Sequence, residues 1–226
     1  MEQITFPTTH WSVVLAAKWD DTKAQAALRE LCASYREPIL RYVERVVQGD
    51  SSRRYGGRNE EDLTHDFLAR LLEGKMFAQL QHREGRFRVY LLGAVRHFLA
   101  NIRQLESAEK RGGGIVHLPL CDDIPQEEDD AMFDHDWAVA SIDRAVAELS
   151  DSPETQTLLP WLTRELTTDD RARLAAELCK SEDAVKVALH RLRKKFRHCI
   201  REQIARTVES ESEVDAELDH LIRAMK

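Results

Sequence analysis

Apolar residues along this chain recur at steps of three and four, the period of a helix facing a core, and almost nowhere at the alternating step of a strand. In "AQAALRELCASYREPILRYVERVVQ" (24–48), Leu28, Leu31, Tyr35, Ile39 and Tyr42 fall on one side and predict a helix that packs through them. In "NEEDLTHDFLARLLEGK" (59–75), Leu63, Phe67 and Leu71 form a stripe that Leu68 and Leu72 widen, while Asp62, Asp66 and Glu73 cluster within about 40° on the opposite side. Thr64 falls at the centre of the apolar side. Further on, "TTDDRARLAAEL" (167–178) reads as a short helix with Thr168 as its N-cap, acids in its first turn, and Leu174, Ala175 and Leu178 on its inner face. "CKS" (179–181) breaks it, and Ser181 caps a longer helix whose Val185, Leu189, Leu192 and Phe196 make a stripe about 60° wide. The last stretch, "SESEVDAELDHLIRAMK" (210–226), repeats Val214, Leu218, Leu221, Ile222 and Met225 at helical spacing, with Ser212 and Asp215 set like a capping box. It is expected to fold back onto one of the lobes.

Composition sharpens this picture at one point. With 226 residues, 9 glycines and 6 prolines, the chain has room for one large or two small domains and few breaks in its helices. Its formal net charge of -7 is distributed unevenly. Lys186 to Arg206 holds eight Lys/Arg against one Glu, Leu118 to Asp136 holds eight Asp/Glu and no Lys/Arg, and Thr207 to Lys226 holds six acids against two bases. The acidic stretch "CDDIPQEEDDAMFDHD" follows "KRGGG" and contains Pro125, so its charge, low hydrophobicity and flanking glycines mark a linker. The expected fold is all-α, two small helical domains joined by that linker: residues 1–111, an acidic linker at 112–134, a helix-turn-helix domain at 135–208, and a C-terminal amphipathic tail at 209–226. Close apposition of the linker to the basic helix, masking it, is a further expectation from the opposite charges.

Several functional classes drop out. The N-terminus has no basic region followed by an apolar run, and no segment approaches the roughly 20 apolar residues that span a bilayer, so a cytoplasmic protein without membrane contact is expected. Cys32, Cys121, Cys179 and Cys199 stand far apart with no C-x-x-C pair, which argues against a zinc site or a disulfide framework. No G-x-x-x-x-G-K-[ST], G-x-S-x-G or metal-spaced His/Cys cluster is present, so neither enzymatic activity nor a cofactor is expected.

The basic helix carries the positive evidence. A Lys/Arg-rich face is by itself an ordinary solvated surface. Here, however, a short helix, a tight turn and a longer basic helix spell the motif whose second helix enters the major groove of DNA. On that reading Ser181, Glu182, Asp183, Lys186, Val187 and His190 are close enough to the helix start to meet base edges. Arg191, Arg193, Lys194 and Arg197 are placed for phosphates, which supply affinity without sequence information. The stretch "AAELCKSEDAVKVALHRLRKKFR" (175–197) resembles the promoter-reading domain of extracytoplasmic-function sigma factors of the sigma-70 family, through its small-residue first helix, Ser181, Val185-Lys186, Leu189-His190-Arg191 and Arg193-Lys194-Lys195. One departure is Cys179, where that family usually has glycine; if the turn needs a positive φ there, cysteine costs on the order of 1 kcal/mol.

The resemblance extends upstream. The acidic helix looks like the family's element that binds the clamp of core RNA polymerase, which implies Glu61, Asp62 and Asp66 as polymerase contacts. "REGRFRVYLLGAVRHFLANIRQLESAEKR" (83–111), with seven bases, three acids and interleaved Phe87, Tyr90 and Phe98, suits single-stranded nucleic acid, although Phe87 and Phe98 are expected in the core. It is similar to the family's promoter-melting helix, which implies Arg96, His97, Asn101 and Arg103 at the −10 strand. The resemblance thus implies core RNA polymerase and promoter DNA as partners. The chain's overall pattern looks like the subset associated with Ser/Thr protein kinases, and an anti-sigma factor is the alternative controller. Ser51 and Ser52, in the loop "GDSSRRYGGRN" (49–59) beside Arg53, Arg54 and Arg58, are the phosphorylation candidates. The rivals are a conventional helix-turn-helix regulator acting without sigma activity and an interaction module whose basic helix binds an acidic protein.

Overall fold

The structure is a computed structural model that describes residues 22–49, 55, 57–73, 87–109, 127–208 and 210–226. Among them there is no strand. The helices are α1 (Thr22–Gly49), α2 (Glu60–Leu72), α3 (Phe87–Glu109), α4 (Glu127–Leu149), α5 (Pro153–Leu158), α6 (Thr168–Glu177), α7 (Glu182–Ala205) and α8 (Val214–Ala224), with 3-10 turns at Leu159–Trp161 and Glu211–Glu213. They form two compact units, one of Met1–Ala140 with Ile204–Lys226 and one of Ser141–Gln203.

In the first unit the apolar stripes meet as their spacing requires. Leu28, Leu31, Tyr35, Ile39 and Tyr42 of α1 are buried, as are Leu63, Phe67 and Leu71 of α2. Phe87, Leu91, Val95 and Phe98 of α3 join them, with Tyr35 edge-on to Phe87 at 5.1 Å and Phe67 against Phe98 at 5.5 Å. Phe133 and Trp137 bring in α4, and Val214 and Leu221 bring in α8. The tail helix is thus part of this unit. Its apolar stripe is narrower than its spacing suggests: Ile222 and Met225 are exposed, and Glu217 occupies the buried face in their place. Its capping box is Ser210 with Glu213, two residues earlier than expected, because the 3-10 turn precedes the α-helix.

At the centre of this packing lies Arg88. On α3 it falls within the apolar face, between Phe87 and Leu91, and its side chain is 7% exposed. Nε donates to Glu217 Oε1 of α8 (2.7 Å), Nη1 donates to Asp134 of α4, and the guanidinium stands 5.4 Å from the Trp137 ring centroid. His220 Nε2 closes the group 2.6 Å from Asp134 Oδ2. Burial alone would lower the pKa of Arg88, but the Glu217 hydrogen bond and the charges of Glu217 and Asp134 overcome it and hold the group above its ordinary value.

Residues 112–126 of the expected linker lie outside the described residues; its last part, 127–134, and the expected boundary at 135 differ from this arrangement. From Glu127 onward the acidic stretch is helical, and three of its acids, Asp130, Asp134 and Asp136, have partners. Asp130 pairs with Arg96, Asp134 with Arg88, and Asp136 with Arg45 (2.5 Å) and Arg41 (3.5 Å). All four arginines belong to α1 and α3, so these acids neutralise charge within the first unit. Charge had concealed Phe133, Trp137 and Ala138, whose spacing is that of a buried helix face.

The second unit is smaller. Leu149, Leu158, Leu174, Val185 and Leu192 form its core, flanked by Trp161, Leu162, Leu166 and Phe196. Pro153 sits in the first turn of α5 behind the Ser152 cap, where its missing N–H costs nothing. The cap of α6 is Thr167 rather than Thr168: Asp170 N–H donates to Thr167 Oγ1 and Thr167 N–H donates back to the Asp170 carboxylate, a reciprocal box that Thr168 cannot form with Arg171.

Removing one partner of a buried ion pair leaves the other charge uncompensated. Glu217→Ala is therefore expected to lower the unfolding free energy by about 3 kcal/mol in urea denaturation, whereas Asp219→Ala, at an exposed position of the same helix, stays within about 0.5 kcal/mol of the parent.

Candidate functional site

Three surfaces carry the residues singled out by sequence. The first is the start of α2. Asn59 caps it by accepting from Asp62 N–H (2.8 Å), and Glu60, Glu61 and Asp62 place their charges at the positive end of the helix, where they stabilise it. Leu63, Phe67 and Leu71 turn inward, so Glu61 and Asp62 are exposed and Asp66 is partly so. Glu61 accepts from Arg36 of α1 (2.5 Å) and Asp66 pairs with Arg58 (3.3 Å). Asp62 has no ion pair among the described residues, which leaves it the most available of the three. Thr64 is buried and donates to the Glu60 carbonyl (2.8 Å), closed to modification. Ser51 and Ser52 lie outside the described residues.

The second surface is on α3, and here the four expected residues divide. At about 100° per residue, Arg96 and Arg103 share one side of the helix while His97 and Asn101 share another. Arg96 donates through Nε to Tyr42 Oη (3.3 Å), lies 5.9 Å from the Tyr42 ring centroid, and pairs with Asp130. Burial would lower its pKa, but the Tyr42 and Asp130 partners raise it above the ordinary value. Arg103 donates through Nε to Tyr55 Oη (2.5 Å) with its guanidinium 5.3 Å from that ring. His97 and Asn101 are half-buried and make no side-chain hydrogen bond among the described residues. Phe87 and Phe98 are core residues, and Tyr90 is held largely inside, where burial pushes its hydroxyl pKa up. That Asp130, Tyr42 and Tyr55 partner this surface was not identified by sequence reasoning, which had Tyr42 only as a packing residue of its helix. For Asp130 the signal was present: it shares a side with Phe133 and Asp134 on a helical wheel that charge density had obscured.

The third surface is built by α6, the turn after it, and α7. Helix α6 ends in a Schellman arrangement, with Lys180 N–H donating to Ala175 O (2.9 Å) and Cys179 N–H to Ala176 O (3.3 Å). That closure requires a left-handed residue, and Cys179 supplies it at φ 52°. Ser181 then caps α7 by accepting from Ala184 N–H (3.2 Å). With Val185, Leu189 and Leu192 buried, the opposite side of α7 is open. Asp183, Val187, His190 and Lys194 lie within a band about 60° wide there, flanked by Lys186 and Arg191, and Ser181, Glu182 and all six are exposed. Val187 is 49% exposed, an apolar side chain with no core to join. Lys186 pairs weakly with Asp183 (3.2 Å) on the surface.

Arg193 departs from its expected phosphate role. It donates to the carbonyls of Leu162 (3.1 Å), Trp161 (2.9 Å) and Arg164, turning back along its own unit. Its wheel position, on the flank of the Val185 stripe, is the sign that distinguishes it from Arg191 and Lys194.

Among the described residues no helix is long and apolar enough to cross a membrane, and no group of His, Cys, Asp and Glu is arranged to hold a metal ion. A family model described as ECF sigma factor matches residues 17–202. No curated protein and no solved structure matches the chain.

The strained turn gives a direct stability test. Cys179→Gly is expected to stabilise the protein by about 1 kcal/mol by relieving the left-handed strain, and Ser181→Ala to destabilise it by about 1 kcal/mol by removing the cap. Calorimetric midpoints should move in opposite directions, by about 5 °C each for a unit of this size.

Proposed function

The chain belongs to the ECF sigma factors, which act in transcription initiation, and from that premise we propose that its two units divide the work of promoter recognition. The start of α2 docks on core RNA polymerase through Asp62, with Glu61 and Asp66 beside it. The α3 surface, through Arg96, His97, Asn101 and Arg103, holds the melted −10 strand. Helices α6 and α7 form the helix-turn-helix that reads the −35 duplex: Ser181, Glu182, Asp183, Lys186, Val187 and His190 face base edges, and Arg191 and Lys194 face phosphates. The single observation that carries this reading is the open face of α7, where polar and basic side chains and an uncovered Val187 stand opposite a buried stripe behind a capped turn.

The chemistry of each position fits its role. Lys186 and His190 present donors for base acceptors, Asp183 and Glu182 accept from cytosine amines, and Val187 offers an apolar contact for a thymine methyl. Arg191 and Lys194 neutralise backbone charge, which steers association and makes it salt-dependent. In α3, His97 and Asn101, which make no side-chain hydrogen bond among the described residues, offer donors and acceptors to an unstacked base. Arg96 is only conditionally available, because a single strand has to displace Asp130 from it.

Core polymerase retention tests the first part. Unmodified chain is expected to retain core enzyme and to start transcription at new sites in runoff assays on a genomic library. Asp62→Arg/Asp66→Arg should lose both; binding to duplex DNA as a dimer without polymerase would favour a conventional regulator instead. Asp130 provides the second test. An exposed ion pair is worth up to about 1 kcal/mol, so Asp130→Asn should raise holoenzyme affinity for a −10 single strand by up to about fivefold, and the gain should vanish in Arg96→Ala/Asp130→Asn.

A further inference from the structure

Arg193 lies between Arg191 and Lys194 in the most basic part of α7, yet its guanidinium forks onto a different target. Its three acceptors, the carbonyls of Trp161, Leu162 and Arg164, come at and just beyond the end of the 3-10 turn Leu159–Trp161. Carbonyls at such an end have no helical partner and carry the negative end of the local dipole. The same segment is gripped from α6: the Arg173 guanidinium stands 5.8 Å from the Trp161 ring centroid. Beneath it, Trp161, Leu162 and Leu166 pack against the core formed by Leu174 of α6 and Val185 and Leu192 of α7. The segment 159–164 is therefore tied to α7 through its backbone and to α6 through a ring. A separate bridge between Lys180 and Glu154 (2.5 Å) holds the intervening turn to α5.

We propose that Arg193 is a positioning residue for promoter reading: by clamping the 161–164 carbonyls it sets the angle of α7 against α6, and it makes no phosphate contact. This rests on the reading of α7 as the −35 helix. Base readout needs the first turns of α7 at hydrogen-bond distance from base edges while α6 crosses the backbone, so a change in their mutual tilt misaligns both sets of contacts together. A lysine does not replace the fork. It is one compact charge on a flexible stem and cannot hold three carbonyls in a fixed plane.

The salt dependence of binding separates this role from a phosphate contact. Holoenzyme assembled from core RNA polymerase and the full chain is titrated against duplexes that the unmodified holoenzyme selects from a randomised −35 pool, over a range of KCl concentrations. Arg193→Lys and Arg193→Ala are expected to weaken binding about tenfold or more, with the slope of log affinity against log salt unchanged and a smaller preference for selected over scrambled −35 sequence. Arg191→Ala and Lys194→Ala, by contrast, should each reduce the slope by about one and keep the preference. Binding is read well below the unfolding midpoint at matched helical content, and Arg193→Lys, which keeps stem and charge, decides alone if the alanine variant loses helicity. A slope that falls by about one in Arg193→Ala and is restored in Arg193→Lys would make Arg193 a phosphate ligand and overturn the proposal. So would both variants binding like the parent. If Arg191→Ala and Lys194→Ala change neither affinity nor slope, the −35 reading of α7 itself falls, and the positioning role with it.

Discussion

A guanidinium inside a helical core has to bring its counter-charges with it, and in this protein that requirement organises the first unit. Arg88 is nearly closed to solvent, and an ion buried without partners costs several kcal/mol even after relaxation. Its partners come from elements distant in sequence, Asp134 in α4 and Glu217 in α8, with Trp137 supplying an aromatic face. Hydrophobic contact alone is non-directional and would allow α8 to slide or rotate on its apolar stripe. The Arg88 fork adds directional contacts at Glu217 and Asp134 that an apolar stripe lacks. The same logic, less deeply buried, repeats where Asp136 meets Arg41 and Arg45.

The arginines of this chain consequently fall into different chemical occupations that their spacing in a basic run does not announce. Arg88 is a structural centre, Arg96 and Arg103 rest on tyrosines, and Arg193 holds backbone carbonyls. Arg191 and Lys194 remain outward. Net charge per segment is therefore a poor measure of what a polyanion would encounter, since part of the positive charge is already neutralised within the fold. Exposure opposite a buried stripe is the better guide, and it singles out one side of α7.

Most of the helical framework was legible from periodicity, because burial of one face is what makes a helix stable in a small domain. The inner residues of α1, α2 and α7, the burial of Thr64 and the Ser181 cap all follow from that single rule. The Cys179 turn was legible too, from the absence of the glycine that a left-handed position favours. What escaped were features decided by side chains far apart in sequence. Asp130, Asp134 and Asp136 read as part of a solvated acidic stretch because their arginine partners lie in α1 and α3, so local composition gave the wrong environment. Glu217 and Arg88 each sit on an otherwise apolar face, and such a residue is a sign of a buried partner that inspection of either helix alone cannot supply. The caps moved by one or two residues because the alternatives, Thr167 beside Thr168 and Ser210 beside Ser212, differ only in which acid can reach back.

The tail helix has a further consequence for the order of events during synthesis. The matched family region ends at residue 202, but the first unit draws on Ile204–Lys226. That unit is therefore discontinuous, with the whole of the second unit inserted within it. Domains generally fold as the chain emerges, N-terminal parts first, yet Arg88 waits for Glu217, which is made more than a hundred residues later. A nascent chain can thus assemble Ser141–Gln203 while the earlier unit is still missing its last helix. Ribosomal emergence would place completion of the inserted unit ahead of the one that starts first.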